Sequence, residues 1–238
     1  IIGSAVNSFA FIFARGGSKG IEKKNIKSFG GKPLIAHSIL QALKCEVFDR
    51  VFVSTEDKEI AKIASSYGAD IIIRPDYLAD DDSPEWLAWR HAIEYVEENF
   101  GFFNRFVSLP PTSPLRNSSD ILNAIDLLDS HASADLSLGI CQSSKSPYFN
   151  MVIKNEQNYL ELASQINGVI NRRQDAPPIF NITTVVYAAS SDFIKKNNNI
   201  FAGTVIGFEI PKERAVDIDD ILDFQFAEFL YNKFNHAK

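Results

Sequence analysis

Two stretches of the chain concentrate residue types that chemistry can use. The segment Ala14-Arg-Gly-Gly-Ser-Lys-Gly-Ile-Glu-Lys-Lys-Asn25 follows directly on the apolar run Phe9–Ala14. Glycines let backbone N–H groups approach phosphate oxygens, and Arg15, Lys19 and Lys24 add positive charge where a polyphosphate would lie. The pattern is not a P-loop, since no Gly-Lys-Ser/Thr closes it, and it is not the dinucleotide Gly-x-Gly-x-x-Gly. A glycine-rich surface turn carrying incidental lysines has the same composition. Far along the chain stands Glu213-Arg-Ala-Val-Asp-Ile-Asp-Asp220. In extended backbone, residues two apart share a face, so Asp217 and Asp219 point together and Val216 and Ile218 point away. Two convergent carboxylates completed by phosphate oxygens and waters suit Mg²⁺. The same acids would equally serve to cap a following helix, with Asp220 and Asp223 best placed for that.

Charge is distributed to match. Six basic residues lie between Arg15 and Lys32 against the single acid Glu22, and seven acids lie between Glu209 and Glu228 against Lys212 and Arg214. A basic loop and an acidic cluster can jointly hold a polyphosphate and its metal, or they are two solvated faces of opposite sign. A third block, Pro110-Pro-Thr-Ser-Pro-Leu-Arg116, presents the hydroxyls of Thr112 and Ser113 on a proline-stiffened loop, though by itself it also reads as an ordinary proline turn. In a fourth, Arg172 and Arg173 stand beside Gln174, suited to clamping a carboxylate bidentately or to forming a charged surface. His37, His91, His131 and His236 are dispersed, without metal-ligand spacing or a nucleophile partner, and none is assigned a catalytic role.

The elements that must position these groups alternate between strand and helix, which points to an α/β layered fold. Strands are expected at Phe9–Ala14, Arg50–Ser54, Ile71–Ile73, Phe102–Leu109, Leu136–Cys141, Thr183–Ala189 and Thr204–Ile210. Helices are expected at Leu34–Leu43, Lys58–Tyr67, Pro84–Glu98, Ser118–Ser130 and Ile221–Phe234. Pro33 opens the first of these, Gly68 terminates the second, and a serine or aspartate caps the fourth. The third is expected to carry Leu87, His91 and Tyr95 along one stripe. Between about 142 and 180 the pattern breaks into an irregular, proline- and aromatic-containing stretch, expected as an inserted, hairpin-rich flap on a single domain spanning 1–238.

Composition bounds the rest. At 238 residues, 45% hydrophobic and 23% charged, the chain is globular in class. A net charge of −6 argues against a general nucleic-acid binder. No apolar run approaches the roughly 20 residues of a bilayer span. The apolar opening Ile1–Ala14 lacks the basic start and cleavage-like end of a signal peptide and is expected as a buried first strand. Cys45 and Cys141 are too few for a disulfide framework and lack metal spacing, so a reducing cytoplasm is the expected location.

The loop Ala14–Asn25 resembles the N-terminal signature of the CMP-sialic acid synthetases, or N-acylneuraminate cytidylyltransferases, Ala-Arg-Gly-Gly-Ser-Lys-Gly-Ile-Pro-x-Lys-Asn. Ten defined positions match, and Glu22 replaces the proline. Arg74-Pro75, Pro111-Thr-Ser-Pro-Leu-Arg116 and Arg172-Arg-Gln-Asp-Ala-Pro-Pro178 repeat three further blocks of that family in the same order. The resemblance implies a Rossmann-like nucleotidyltransferase, a three-layer α/β sandwich with a mostly parallel sheet and an inserted dimerisation flap. It implies that CTP and a nonulosonic, sialic-acid-like acid give the CMP-sugar and pyrophosphate. Ala14, Arg15, Gly16, Gly17, Ser18, Lys24, Asn25 and Arg74 would bind the nucleotide. Thr112, Arg173 and Gln174 would bind the sugar, and Asp217 and Asp219 would hold Mg²⁺, or Mn²⁺, with Arg15 and Lys24 sharing in catalysis. The family is homodimeric, its flap reaching across to the partner's sugar site.

Two departures fall on the sugar side of that pattern. Pro110 stands where the family has a glutamine, and Thr183-Thr184 where it has Asn-Gly. Two other functions compete. A cytidylyltransferase for the eight-carbon sugar acid of lipopolysaccharide would carry Gln-Gly-Asp-Glu-Pro after the fourth strand, which is absent here. A non-catalytic nucleotide-binding module would have no need of both aspartates and both phosphate-facing cations.

Overall fold

The computed structural model describes residues 7–80, 82–164 and 172–236. Eleven strands are β1 (Ser8–Phe13), β2 (Ser28–Phe29), β3 (Lys32–Pro33), β4 (Arg50–Thr55), β5 (Asp70–Ile73), β6 (Arg105–Ser108), β7 (Leu136–Gln142), β8 (Val152–Lys154), β9 (Leu160–Leu162), β10 (Phe180–Ser190) and β11 (Val205–Glu209). The α-helices are α1 (Leu34–Lys44), α2 (Lys58–Ser66), α3 (Glu85–Phe100), α4 (Ser118–Ser130), α5 (Ser191–Lys196) and α6 (Ile221–His236).

Seven strands form one sheet in the order β11-β7-β10-β6-β1-β4-β5. Every pairing is parallel except those of β10, which runs antiparallel to both β6 and β7. The reason is visible in β1, whose six residues are all buried. Phe9, Phe11 and Phe13 face one core with Trp86, Trp89 and Phe193. Ala10 and Ile12 face the other with Ile39, Ile60 and Ile121. A strand buried on both faces needs helices on both sides, and that gives the three layers expected from the sequence: α1, α2 and α4 on one side, α3 and α5 on the other. A third, smaller core joins α6 to the loop after β1, through Ile21, Phe29, Leu34, Leu115, Ile218, Phe224 and Leu230.

Three expectations about elements are corrected. The core-facing side of α3 is Trp86, Trp89, Ile93 and Val96, and Leu87 is exposed. The two tryptophans, placed three residues apart, outweigh the Leu87–His91–Tyr95 stripe because burying an indole removes far more apolar surface from water. The strand expected over Phe102–Leu109 is paired only at Arg105–Ser108. The cap of α4 is Asn117, whose side chain accepts from the Asp120 N–H and whose own N–H donates back to the Asp120 carboxylate.

Between β7 and β10 the chain leaves the sheet at Gln142 and returns at Phe180, which pair with each other. The described part of this excursion holds the hairpin β8–β9, whose six residues are all exposed. Among the described residues no helix is long and apolar enough to cross a membrane.

Candidate active site

The parallel strands β5, β4, β1 and β6 deliver their carboxyl ends to one edge of the sheet, and the chain order reverses between β1 and β6. Ligands of open α/β sheets bind at that point. A cleft of about 520 Å³ opens there, lined among others by Arg15, Ser18, Lys24, Asn25, Arg74, Glu85, Pro110, Thr112, Thr184, Tyr187, Asp217 and Asp219. Residues more than 200 positions apart in sequence thus share one wall, because each stands just beyond an element that ends at this edge.

The glycine loop is held to the aspartate segment by Lys24. Its Nζ donates to the Ile218 carbonyl oxygen at 2.7 Å and lies 4.0 Å from Asp219 Oδ1. The loop can lie this close because of Gly20: a Cβ there would fall 2.1 Å from the Asp219 carbonyl oxygen. Asn25 is buried and donates to the Arg15 carbonyl oxygen at 3.0 Å, which makes it a brace for the loop. The Ala14 N–H donates to Ser54 O and the Gly16 N–H to Glu56 Oε1 at 2.6 Å. These two amides are therefore engaged within the protein. Gly17, on the same loop, is exposed.

Arg74 is buried and pairs with Glu56 Oε2 at 3.0 Å, and its Nε has no partner among the described residues. Glu56 thus bridges the glycine loop and Arg74, a role that sequence reading missed. The available signal was its position, one residue beyond β4, at the same sheet edge as the loop itself.

On the acidic side, Ile218 is fully buried in the small third core, and that turns its neighbours Asp217 and Asp219 toward the cleft. The alternation expected from Asp-Ile-Asp is what the structure shows. Asp217 Oδ1 is buried without a hydrogen-bond partner among the described residues. The Asp219 carboxyl is raised above the usual carboxylate range, first by burial and then by the Asp217 charge, against an opposing pull from Lys24. An orphaned carboxylate oxygen beside a second, mutually repelling carboxylate is a fitting seat for a divalent cation. Among the described residues no group of three or more His, Cys, Asp and Glu side chains could hold a metal. Asp220 and Asp223 have other work: the Asp220 carboxylate accepts from the N–H groups of Leu222 and Asp223, and that of Asp223 from those of Asp219 and Asp220, capping α6.

The far wall is built by the loop after β6. Thr112 accepts from the Ile218 N–H through its carbonyl at 2.9 Å, and Ser113 Oγ lies 2.7 Å from Thr184 Oγ1. Arg116, 2% exposed, donates from Nε to Val185 O at 2.6 Å, from Nη1 to Ser38 Oγ at 2.6 Å, and from Nη2 to Pro110 O. It thereby fixes the Pro110 loop to the irregular stretch of β10 between Ile182 and Tyr187. Burial lowers the pKa of Arg116 to about 9; among the described residues its hydrogen-bond partners are carbonyls and the Ser38 hydroxyl rather than a carboxylate.

Among the described flap residues, Gln174 is not a lining residue of this cleft. Gln174 lines a separate cavity of about 470 Å³ with Gln142, Lys145, Ser146 and Pro178. Arg172 forms a two-toothed pair with Asp175 at 3.0 and 3.1 Å. Arg173 begins a 3-10 turn, Arg173–Asp175, and its side chain lies outside the described residues. Within one chain Gln174 stands apart from Thr112, since the flap leaves the sheet at Gln142; the resemblance implies that a flap serves the partner's sugar site and not its own.

Residues 9–202 match the family of cytidylyltransferases. The chain belongs to that family. A post-translational flagellin modification protein B of Campylobacter coli is 31% identical over 94% of this chain and 94% of its own. A CMP-N,N'-diacetyllegionaminic acid synthase of Campylobacter jejuni is 32% identical over 92% of each. The solved structure of a CMP:2-keto-3-deoxy-manno-octonic acid synthetase complexed with CTP superposes with a TM-score of 0.71 over 96% of this chain and 99% of that one, at 16% identity, a likeness of fold. The cytidylyltransferase thus has its glycine loop, cation pair and aspartates at the sheet edge where open α/β sheets bind ligands.

Proposed function

We propose that this cytidylyltransferase activates a nonulosonic acid with CTP, releasing pyrophosphate and forming the CMP-sugar. The observation that carries the reading is the meeting of the glycine loop, Lys24 and the Asp217–Asp219 pair in one cleft, with a second wall of Pro110, Thr112, Thr184 and Tyr187 left for an acceptor. Arg15, Lys24 and Arg74 offset the triphosphate charge, and Ser18 with the loop orients it. Asp217 and Asp219 would hold Mg²⁺ or Mn²⁺, which would supply charge neutralisation and make an attacking hydroxyl more acidic. The anomeric hydroxyl of the acid attacks the α-phosphorus in line, its proton passes to solvent, and pyrophosphate leaves. The protein's share is to bring the two reactants together and to exclude misaligned approaches.

Pro110 offers the acceptor neither an amide nor an N–H where the resembling enzymes have glutamine. That favours a legionaminic-type acid over N-acetylneuraminic acid. The exposed apolar hairpin and the displaced Gln174 favour a homodimer in which the flap of one chain reaches the cleft of the other. The free, buried Cys45 and Cys141 suit a cytoplasmic location.

The test is pyrophosphate release from CTP with a panel of nonulosonic acids and the eight-carbon acid, with and without Mg²⁺. Release that depends on a nonulosonic acid and on the metal is expected, with N-acetylneuraminic acid behind legionaminic-type acids in kcat/KM. Release with the eight-carbon acid alone would overturn the substrate class.

A further inference from the structure

Arg74 lines the cleft, yet its charge is answered from behind. Glu56 stands one residue beyond β4 and is not itself a lining residue of the cleft. Its carboxylate is shared between two partners: Oε1 accepts from the Gly16 N–H at 2.6 Å and Oε2 from Arg74 Nη2 at 3.0 Å. The ion pair is sheltered, with the Arg74 side chain 5% and the Glu56 side chain 17% exposed. Backbone fixes both ends of it. The Arg74 N–H donates to the Thr55 carbonyl at 3.0 Å, so the chain leaving β5 delivers the arginine beside the acid. On the other side, a Cβ on Gly16 would fall 2.6 Å from Asp57 Oδ2, and Asp57 is itself held as the cap of α2 by the N–H groups of Glu59 and Ile60.

A guanidinium carries five N–H donors in a rigid plane, so a single anchored nitrogen goes far towards setting the direction of the others. The bond to Glu56 is the one side-chain hydrogen bond that Arg74 makes among the described residues, and its Nε is buried without a partner among them. The orientation is thus imposed by Glu56 rather than by a fully satisfied surround. With Nη2 committed, the remaining N–H groups of Arg74 are what this wall can offer a phosphate or carbonyl oxygen. Without the acid, Arg74 would be a sheltered, unpaired cation, drawn to the carboxylates of Glu85, Asp217 and Asp219 that line the same cleft.

We infer that Glu56 is a positioning residue for the nucleotide, holding the Arg74 guanidinium in the direction from which it meets CTP and keeping it in step with the glycine loop through Gly16. Glu56 touches no substrate; it acts through Arg74. This rests on the reading of the cleft as a CTP site and deepens it. The same geometry explains why an arginine suits this position: a lysine ammonium spent on Glu56 leaves no second nitrogen to present.

The test uses Glu56→Gln, whose amide oxygen can still accept from Gly16 while its NH₂ group, turned to Arg74, sets donor against donor. The Kd for CTP is measured directly, together with the KM for the acceptor acid and the unfolding temperature, in a cycle of wild type, Glu56→Gln, Arg74→Met and the double variant. In Glu56→Gln the Kd for CTP should rise by about tenfold or more, the size of a lost charge-assisted contact, with the acceptor KM within about twofold of wild type. Added to Arg74→Met, the same substitution should cost no further CTP affinity, because the residue it acts through is gone. An unchanged Kd in Glu56→Gln, an equal loss for CTP and acceptor, or an undiminished effect in the Arg74→Met background would each overturn the inference and leave the CTP site standing. A wild type that binds no CTP would overturn both. If Glu56→Gln does not fold, Glu56→Asp is read instead: it keeps the charge but is one methylene too short to hold Gly16 and Arg74 together. A raised Kd for CTP with the acceptor KM retained then supports the inference, and an unchanged Kd overturns it.

Discussion

Asp217 and Asp219 share the cleft with Lys24, and each has a physical reason to want a cation. Asp217→Asn or Asp219→Asn is therefore expected to lower turnover by about a hundredfold or more at saturating Mg²⁺. Thermal unfolding should remain close to wild type, since neither carboxylate caps α6: Asp220 and Asp223 do that. Wild-type turnover in either variant would remove the metal from these residues. Arg15→Ala and Lys24→Ala should each weaken CTP use by about 1.5–3 kcal/mol, the worth of a charge-assisted phosphate contact. Lys27→Ala and Lys32→Ala are the controls, because Lys27 lies over the Phe224 ring outside the cleft and Lys32 lies beside α1. Equal small losses at all four positions would reduce the loop to a basic surface. Much at this scale was legible beforehand. The Asp-Ile-Asp alternation gave the shared face, because one buried isoleucine suffices to orient both neighbours. Glu56 and Tyr187 were not legible, since a single acid or phenol in an ordinary context carries no spacing to read. They matter only because the sheet brings them together.

At the scale of elements, the glycine loop and the aspartate segment are built as one unit, and Gly20 is the contact that allows it. Gly20→Ala places a methyl group against the Asp219 carbonyl, which belongs to backbone and cannot swing aside. Overpacking of this kind costs about 1–3 kcal/mol. The expected result is a modest fall in unfolding temperature and a much larger fall in turnover, as the aspartates are displaced; unchanged turnover would show that the close approach is incidental. A second element-level effect concerns α1. His37 is buried edge-on against Phe29 and Tyr231, and its Nε2 donates to the Phe29 carbonyl at 2.8 Å. Burial depresses its pKa, outweighing that hydrogen bond, and Lys32 depresses it further. Between the ordinary value near 6.5 and the depressed folded value, the unfolded chain binds more protons. Stability should accordingly be greatest above about pH 6.5 and fall as pH drops below it. His37→Gln is expected to flatten part of that decline, measured by unfolding temperature at a series of pH values, and an unaltered slope would remove His37 as its source. The strands and helices themselves followed from periodicity because most are buried on the sides that the sequence marks. The α3 stripe misled because hydrophobic spacing alone does not weigh an indole against a leucine.

At the scale of the whole molecule, two observations belong together: Gln174 lines a cavity apart from the cleft, and the flap hairpin is exposed among the described residues. Val152, Ile153 and Leu160 are 52%, 53% and 63% exposed on a two-stranded hairpin, which is seldom stable in water without something packed against it. A second copy of the chain related by a twofold axis would cover both hairpins at once and present each flap to the other's cleft. If so, no chain completes its own acceptor site, and two different inactive variants should rescue each other. In a mixed dimer Asp219→Asn removes the metal side of one cleft, and Arg173→Ala in the other chain removes the flap contribution to that same cleft. Mixed after dissociation and reassociation, half of the dimers carry one variant of each kind. One of their two clefts then has both an intact aspartate pair and an intact flap. Recovered turnover should approach about a quarter of the wild-type value at equal mixing, given random twofold pairing. The same mixture prepared without dissociation should stay inactive, which separates true complementation from contamination. Ile153→Asp supplies the independent readout, shifting the molecular mass in light scattering from two chains to one while CTP binding persists. Failure of rescue with a monomeric wild type would place Gln174 and Arg173 outside the site and leave the Pro110–Thr184 wall to bind the acceptor by itself.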